Sequence, residues 1–403
     1  MAFHINSARA SSIGVTQVNP LFTFSAISDI HLHDNNDDCG YDDLVKLFHV
    51  LGNRIKWRNL NLKYIFCAGD IGMNGHSASP DSTHEIETFN AIVQQKCPIG
   101  KDKVFSCNGN HDQEYTTEEW KQSVFDASLY DIVTEDKNVS FNDGNFTFAF
   151  MSLAHQADRS TTVNGRICYL DDAQTQTRQW LQNVVQQSSG KTLVLFMHYP
   201  LPNRKCVDTS TTNIDEYDWV TGDYVPKSVK ICQTEGQYAG LLDAGGSADN
   251  NLGQTIYGFY LKAGTQDYST KTESEEILDI LKQHVGKVVV FSGHTHLVFE
   301  TEDMEIVVGK GYSNVNVANI PGTNITTVHI PSLNHPRKLK VSTIGEVSGW
   351  QTISGSNPYR QPCQSWLVDV FNDKLVLRGF ESNVCHDKRY GDILTKYVYP
   401  IYI

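Results

Sequence analysis

No window of this 403-residue chain approaches about eighteen consecutive apolar residues, so no helical membrane span is expected. The first twenty residues, MAFHINSARASSIGVTQVNP, hold no apolar core of a signal peptide, and the expectation is a cytoplasmic protein. None of the nine cysteines forms a CxxC pair, which argues against a zinc ribbon. Their odd count and irregular spacing suit a reducing compartment. Cys67 and Cys107 lie inside apolar runs and read as small core residues; Cys206–Cys232 and Cys363–Cys385 stay open as disulfides. Positive charge is scarce: 33 Lys and Arg face 46 Asp and Glu, for a formal net charge of −13. That balance disfavours a nucleic-acid polymer as partner. It does not exclude an acidic substrate, because bound divalent cations would reverse the sign locally. Internal repeats and low-complexity tracts are absent. Sequons occur at Asn138, Asn145 and Asn324, and without a secretion signal they carry little weight.

What the chain does have is a series of short apolar runs that end in Gly or a polar cluster. They are LFTFSAIS (21–28), KYIFCAG (63–69), KVFSC (103–107), FTFAFM (146–151), TLVLFM (192–197) and KVVVFSG (287–293). Continuous apolar runs of this length predict strands buried on both faces. Helices are predicted between them over 42–57, 84–96, 172–187 and 274–284. The alternation implies α/β layering over the first 300 or so residues. After residue 300, ITTVHI (325–330), SWLVDVF (365–371) and KLVLRGF (374–380) read as antiparallel strands that complete a second sheet, with a hairpin turn at FNDK (371–374). Residues 1–19 read as an N-terminal extension and 20–403 as one domain. Residues 203–272, rich in Asp, Asn, Thr, Tyr and Gly, read as an insertion with structure of its own, a lid or cap.

Polar clusters follow five of the strands directly: SDIH (28–31), GD (69–70), GNHD (109–112), MHYP (197–200) and GHTH (293–296). Asn, Gly and Asp are ordinary turn formers, so one such cluster means little. Five in this order place Asp, His and Asn at the carboxyl ends of buried strands, where open α/β sheets bind their ligands.

The order D-x-H, G-D, G-N-H-D, H, G-H-x-H resembles the calcineurin-like metallophosphoesterase superfamily, over roughly residues 20–380. The resemblance implies a four-layer α/β/β/α sandwich of two mixed sheets flanked by helices, with two divalent metal ions at the strand ends. Mn, Fe, Zn and Co all suit such ligands. Carried across residue by residue, Asp29, His31 and His296 bind one metal; Asn110, His198 and His294 bind the other; Asp70 bridges them. Two ions so held can grip both the attacking and the leaving oxygen of a phosphoryl displacement, with a bridging hydroxide as nucleophile. Asn110 and His111 face the substrate, and His111 protonates the leaving alcohol or steadies a phosphate oxygen. Asp112 holds backbone or loop groups. His33 is two residues from a ligand and, with His76, is assigned a supporting position; His49 and His155 read as structural or surface residues.

The chain departs from the family at GDIGMNG (69–75). Many members carry an Asp at the position of Met73 to orient the catalytic His, and Met cannot accept a strong hydrogen bond. Asp81, His76 and Asp112 are the candidates to substitute. The missing Tyr at this place disfavours purple acid phosphatases, and the missing D-R-G extension disfavours Ser/Thr protein phosphatases. What remains is a phosphodiesterase-like branch acting on a small phosphorylated substrate. Tyr217, Trp219, Tyr224 and Tyr238 read as packing the insertion's own core, with stacking on a base or ring as the alternative. Two other readings stand beside the phosphodiesterase: a nuclease of the same superfamily, which the acidic balance opposes, and a non-catalytic metal-binding scaffold, which the complete ligand set opposes.

Overall fold

In a strand, side chains alternate between faces, and here that period of two sorts each apolar run into two different cores. Within β1 (Phe22–Ile27), Phe22, Phe24 and Ala26 enter one core and Ile27 another. Tyr64 and Phe66 of β2 (Leu62–Cys67) join the first, and Ile65 and Cys67 the second. β6 (Thr192–Met197) divides the same way, Val194 and Phe196 against Leu193, Leu195 and Met197. So does β10 (Val288–Ser292), with Val289 and Phe291 against Val288 and Val290. The structure, a computed structural model, describes residues 19–32, 39–72, 82–109, 111–112, 138–152, 175–199, 201, 208–217, 224–233, 240–243, 273–293, 299, 317–320, 322–333, 338–340, 350–352, 363–382 and 389–403.

The shared core lies between two six-stranded sheets. The first runs β17 (Asp392–Tyr402), β16 (Lys374–Glu381), β15 (Gln364–Val370), β1, β2, β3 (Val104–Ser106). The second runs β11 (Val317–Asn319), β12 (Ile325–His329), β10, β6, β5 (Phe146–Met151), β4 (Val139–Asp143). Both are mixed. β1, β2 and β3 are parallel while β15, β16 and β17 are antiparallel. β5, β6, β10 and β12 are parallel with antiparallel strands at either edge. Helices α1 (Cys39–Arg58) and α2 (Ser82–Lys96) cover the outer face of the first sheet through Leu44, Leu47, Phe48, Leu51, Ile86, Phe89 and Val93. These positions recur every three or four residues, the stripe an α-helix lays on a sheet. α3 (Thr175–Gln187) and α4 (Glu273–Leu281) cover the second sheet through Trp180, Leu181, Val184, Ile277 and Leu281. The result is the expected α/β/β/α sandwich.

The strands after residue 300 divide between the sheets: β11 and β12 extend the second, and β15 to β17 form one side of the first, antiparallel to β1. Within 203–272, β7 (Asp208–Tyr217), β8 (Tyr224–Gln233) and β9 (Gly240–Asp243) form a three-stranded antiparallel sheet of their own. β13 (Lys338–Lys340) and β14 (Trp350–Thr352) make a separate two-stranded ribbon. Cys67 and Cys107 are fully buried, as core residues. Cys363 points its sulfur at the Asp43 carbonyl (3.7 Å) as a thiol donor, not as half of a disulfide; Cys385 lies outside the described residues. Asn138, nominally a sequon, is wholly buried and hydrogen-bonded, so its amide is inaccessible to modification in the folded chain.

Between the sheets the packing is aromatic. The Phe66 ring centroid stands 4.9 Å from that of Phe24, 5.0 Å from Phe148, 5.1 Å from Phe196 and 5.3 Å from Phe150. Phe66 thus touches rings of both sheets, and no neighbour is free to fill its place. Phe66→Ala is expected to cost about 3–5 kcal/mol of folding stability, read from urea denaturation followed by circular dichroism; a loss under about 1 kcal/mol would mean that the core collapses around the cavity.

Candidate metal centre

Because the central strands are parallel, their carboxyl ends meet along one edge of the sandwich, and the predicted ligands leave the strands there. Asp29 and His31 follow β1, Asp70 follows β2, His111 and Asp112 follow β3, and His198 follows β6. Four non-glycine residues among those described have positive φ, and three are Asp29 (55°), His31 (49°) and Asp70 (52°); the other is Asn59. Left-handed backbone costs an L-residue roughly 1–2 kcal/mol, and such strain gathers where a site has to hold a given geometry. The loops lock each other in it. Asp29 N–H donates to Gly69 O (3.1 Å), Ile30 and His31 N–H donate to Asp70 O (2.8 and 3.1 Å), and Leu32 N–H donates to Ile71 O (2.8 Å).

The side chains converge on the Asp70 carboxylate. Its Oδ2 lies 3.1 Å from His198 Nε2 and 3.7 Å from His31 Nε2, and His31 Nε2 lies 3.9 Å from Asp29 Oδ1. Asp29, His31, Asp70 and His198 are all buried. Their donor atoms form two groups, His31–Asp70–His111 and Asp29–Asp70–His198, each within 4.8 Å. The His111 backbone N–H donates to Asp70 Oδ1 (2.9 Å), and its ring meets His31 edge-to-face at 4.9 Å. Asp70 and His31 are thus among the groups beside His111; Asp81 and His76, two candidates to orient it, lie outside the described residues.

Two glycines let the loops close so tightly. Gly69, at φ 90°, would place a Cβ 2.7 Å from the Gly109 nitrogen and 2.9 Å from His198 Nδ1. A Cβ on Gly109 would overlap the Asp70 carboxylate, whose Cγ would be 2.8 Å away.

Asp112 is fully buried and bonds to the loops. Its Oδ1 accepts from the N–H groups of Ile71 (2.9 Å) and Gly72 (3.0 Å), and its Oδ2 accepts from Gly109 N–H (2.7 Å). It therefore ties the loop after β2 to the loop after β3. Sequence reasoning missed a second tie. Ser152, at the end of β5, accepts from Asn108 N–H (3.1 Å) and donates its own N–H to Asn138 Oδ1 (2.8 Å), whose Nδ2 reaches Thr177 Oγ1 (3.0 Å) on α3. The available signal was that β5 alone among the runs carries no ligand cluster; its end supports the GNHD turn instead. Ser28, inside SDIH but unassigned, donates to Ala68 O (3.3 Å). His49 is exposed on α1 beside Asn53 (3.1 Å). Asn110, His294, His296, His33, His76, Met73, Asp81, His155, Trp219 and Tyr238 lie outside the described residues, as do the side chains of Tyr217 and Tyr224.

These donors fit divalent cations. His198 Nδ1 lies 2.8 Å from Ala68 O and donates to it, which leaves Nε2 facing Asp70; a histidine ligand is held the same way, by a bond from its other nitrogen. Donor atoms that share an ion at about 2.1 Å stand roughly 3–3.5 Å apart. The 3.1 Å contact meets this, and the 3.7 and 3.9 Å contacts need only small shifts. The electrostatics agree. Burial pushes the Asp70 carboxyl up, but His198, His111 and His31 more than reverse that and hold it well below the usual carboxylate range. Burial pulls the His198 imidazole down, yet Asp70 overcomes this and raises it to about 9. Asp70 therefore demands positive charge beside it, which a proton or a cation can supply.

Removing the Asp112 carboxylate would orphan three buried N–H groups at once, each costing about 1–3 kcal/mol. Asp112→Ala is expected to lose at least about 3 kcal/mol of stability in urea denaturation; a loss below about 1 kcal/mol would show that water replaces the carboxylate.

No curated protein sequence matches the chain. Among solved structures, a dimetal phosphatase from Danio rerio shares 14% identity, with 91% of this chain and 98% of that chain covered at a TM-score of 0.49. A purple acid phosphatase from yellow lupin (Lupinus luteus) seeds shares 9%, covering 94% of this chain and 53% of that chain at 0.43. A conserved uncharacterized protein from Streptococcus pneumoniae, described as a predicted phosphoesterase, shares 10%, covering 95% and 98% at 0.29. At these TM-scores the overlays are too loose to bear on activity. The sequence speaks more directly: residues 22–298, well over half of the chain, match the calcineurin-like phosphoesterase family, and the chain belongs to that family.

Proposed function

We propose that this metal-dependent phosphoesterase hydrolyses small phosphodiesters at a dinuclear centre. The observation that carries the reading is the position of Asp70, the residue common to both groups of candidate donors. A carboxylate there could serve two cations; the family pattern would assign Asp29, His31 and His296 to one and Asn110, His198 and His294 to the other, whereas the described donors group Asp29 with His198 and His31 with His111 around Asp70. When bound, two divalent cations (Mn, Fe, Zn or Co) would neutralise phosphoryl charge and lower the pKa of a nucleophilic water towards neutrality.

The chain's own groups then have distinct tasks. His198 is held in one tautomer by Ala68 O and presents Nε2 to the centre. The Asn110 carbonyl would be a neutral ligand and would leave the centre net positive towards an anionic substrate. His111, half-buried and braced against His31, supplies a proton to the departing alkoxide or a hydrogen bond to a phosphate oxygen. Asp112 takes no part in the chemistry; it keeps the turns of Asp70 and His111 in register. Met73 in place of an acid or a Tyr favours the phosphodiesterase-like branch. The 203–272 insertion separates His198 from the GHTH motif in sequence and is read as a lid that selects the substrate. Its three-stranded sheet supports a unit with structure of its own.

Metal-depleted protein given Mn²⁺ is expected to hydrolyse bis(p-nitrophenyl) phosphate, and Asp70→Asn is expected to remove at least about a thousandfold of that rate, as the loss of a group serving both metals would. Turnover by Asp70→Asn near the parent rate would sink the dinuclear reading. His111→Gln is expected to lower kcat by about 10²–10⁴ while Mn²⁺ binding in calorimetry stays unchanged. A variant that instead stops binding metal would make His111 a ligand.

A further inference from the structure

We propose that Ser332, in the segment after β12 and beyond the family-matched residues, is a positioning residue for Asp29. The proposal rests on the dinuclear reading above. Asp29 is fully buried, shares a donor group with Asp70 and His198, and holds a left-handed backbone (φ 55°). Strained backbone of this kind persists only where its surroundings over-determine it. On one side, Asp29 N–H donates to Gly69 O (3.1 Å) in the loop after β2. On the other, its carbonyl accepts from Ser332 Oγ (3.2 Å), 303 residues further along the chain. The next residue repeats the contact one step back, with Leu333 N–H donating to Ser28 O (2.8 Å). Two consecutive carbonyls of the SDIH motif are thus met by two consecutive residues of one distant segment.

That segment can serve as a brace because it is fixed at both ends. Where it leaves β12, Ile330 N–H donates to Ser292 O (2.7 Å) at the end of β10. The His329 carbonyl accepts from Trp366 Nε1 (2.7 Å) on β15, the strand paired with β1. Where it passes the first sheet, Leu333 is buried in the core under α1 and α2. Ser332 stands between these anchors and is itself fully buried. Alanine at 332 would keep the segment and remove the donor. Asp29 could then relax towards ordinary backbone and carry its carboxylate away from Asp70 and His198. Loss of a bond that orients a metal ligand lowers metal affinity by about 10- to 100-fold. Asp29 stands in only one of the two donor groups, so the loss falls on one metal.

The test is calorimetric titration of the full-length, metal-depleted protein with Mn²⁺, with folding checked by circular dichroism. Asp29→Asn marks the equivalent that Asp29 holds, since asparagine tolerates left-handed backbone while losing the charge. Ile325→Val serves as the comparison: it is a small core truncation at the start of β12, the strand that leads into the segment. The parent is expected to bind two equivalents. Ser332→Ala is expected to weaken the marked one about tenfold or more and leave the other within about twofold, while Ile325→Val leaves both unchanged. Ser332→Cys, close in shape but a weaker donor, is expected to weaken the same equivalent and carries the test if the alanine variant does not fold. A folded Ser332→Ala that binds both equivalents as the parent does would overturn the proposal and leave the dinuclear reading standing. Equal weakening of both equivalents, or the same weakening in Ile325→Val, would also overturn it, because general loss of stability would then explain the effect. A parent that binds a single equivalent would overturn the dinuclear reading, and the brace on Asp29 would then stand or fall on whether Ser332→Ala weakens that one.

Discussion

The contact on which the rest of the site depends is that between Asp70 and His198. Asp70 leaves the first sheet at the end of β2, and His198 leaves the second at the end of β6; they meet with 3.1 Å between Oδ2 and Nε2, both buried. The His198 ring is tied to the first sheet's backbone as well, since its Nδ1 donates to the carbonyl of Ala68, two residues before Asp70. A buried carboxylate facing an imidazole is costly unless each has a partner of opposite charge. The two sheets can bring these groups together only because the aromatic core between them holds their spacing, with Phe66 touching Phe24 on its own sheet and Phe148, Phe150 and Phe196 on the other.

Around that contact, local stability is traded for geometry. Asp29, His31 and Asp70 all adopt left-handed backbone, an arrangement that each would avoid in isolation. Their strain persists because the loops after β1 and β2 bond to each other, and because Asp112 gathers the N–H groups of Ile71, Gly72 and Gly109 on one carboxylate. Much of the support is thus backbone bonding from buried side chains, namely Asp112, Ser152 and Asn138. Of these only Asp112 stands in one of the motifs, GNHD. Each acts by meeting the obligatory hydrogen-bonding needs of a loop that cannot meet them itself.

The elements themselves were readable. The runs at 21–28, 63–69, 146–151, 192–197 and 287–293 became β1, β2, β5, β6 and β10 with their ends displaced by at most two residues, because burial on both faces leaves a continuous apolar signature. The helices at 42–57 and 84–96 appeared with ends shifted by at most three residues, their apolar stripes intact. The strand β17 escaped notice: at the edge of its sheet it is half-exposed and mixed in character, and it carries Lys396 and Pro400, residues that edge strands tolerate. The sequence left Cys363 open as a disulfide partner because spacing along the chain carries no information about which carbonyl a thiol meets.

The sequence by itself determined the kinds of group at each strand end and the order in which they come: Asp and His after β1, Asp after β2, His after β6. That order is local chemistry written next to local periodicity, so it survives without coordinates. The family resemblance already pointed to Asp70 as the shared member and to Asp112 as a support for the loops; only the tertiary structure decided which donors meet, which N–H groups Asp112 takes, and that His111 turns to His31. It also decided that Ser152 meets the Asn108 N–H and that Gln364 meets the Phe299 N–H. Ser152 and Asn108 are 44 residues apart, and Gln364 and Phe299 are 65 apart. Bonds between residues so separated exist only once both sheets have packed and their burial has taken away the water that would otherwise satisfy the same groups.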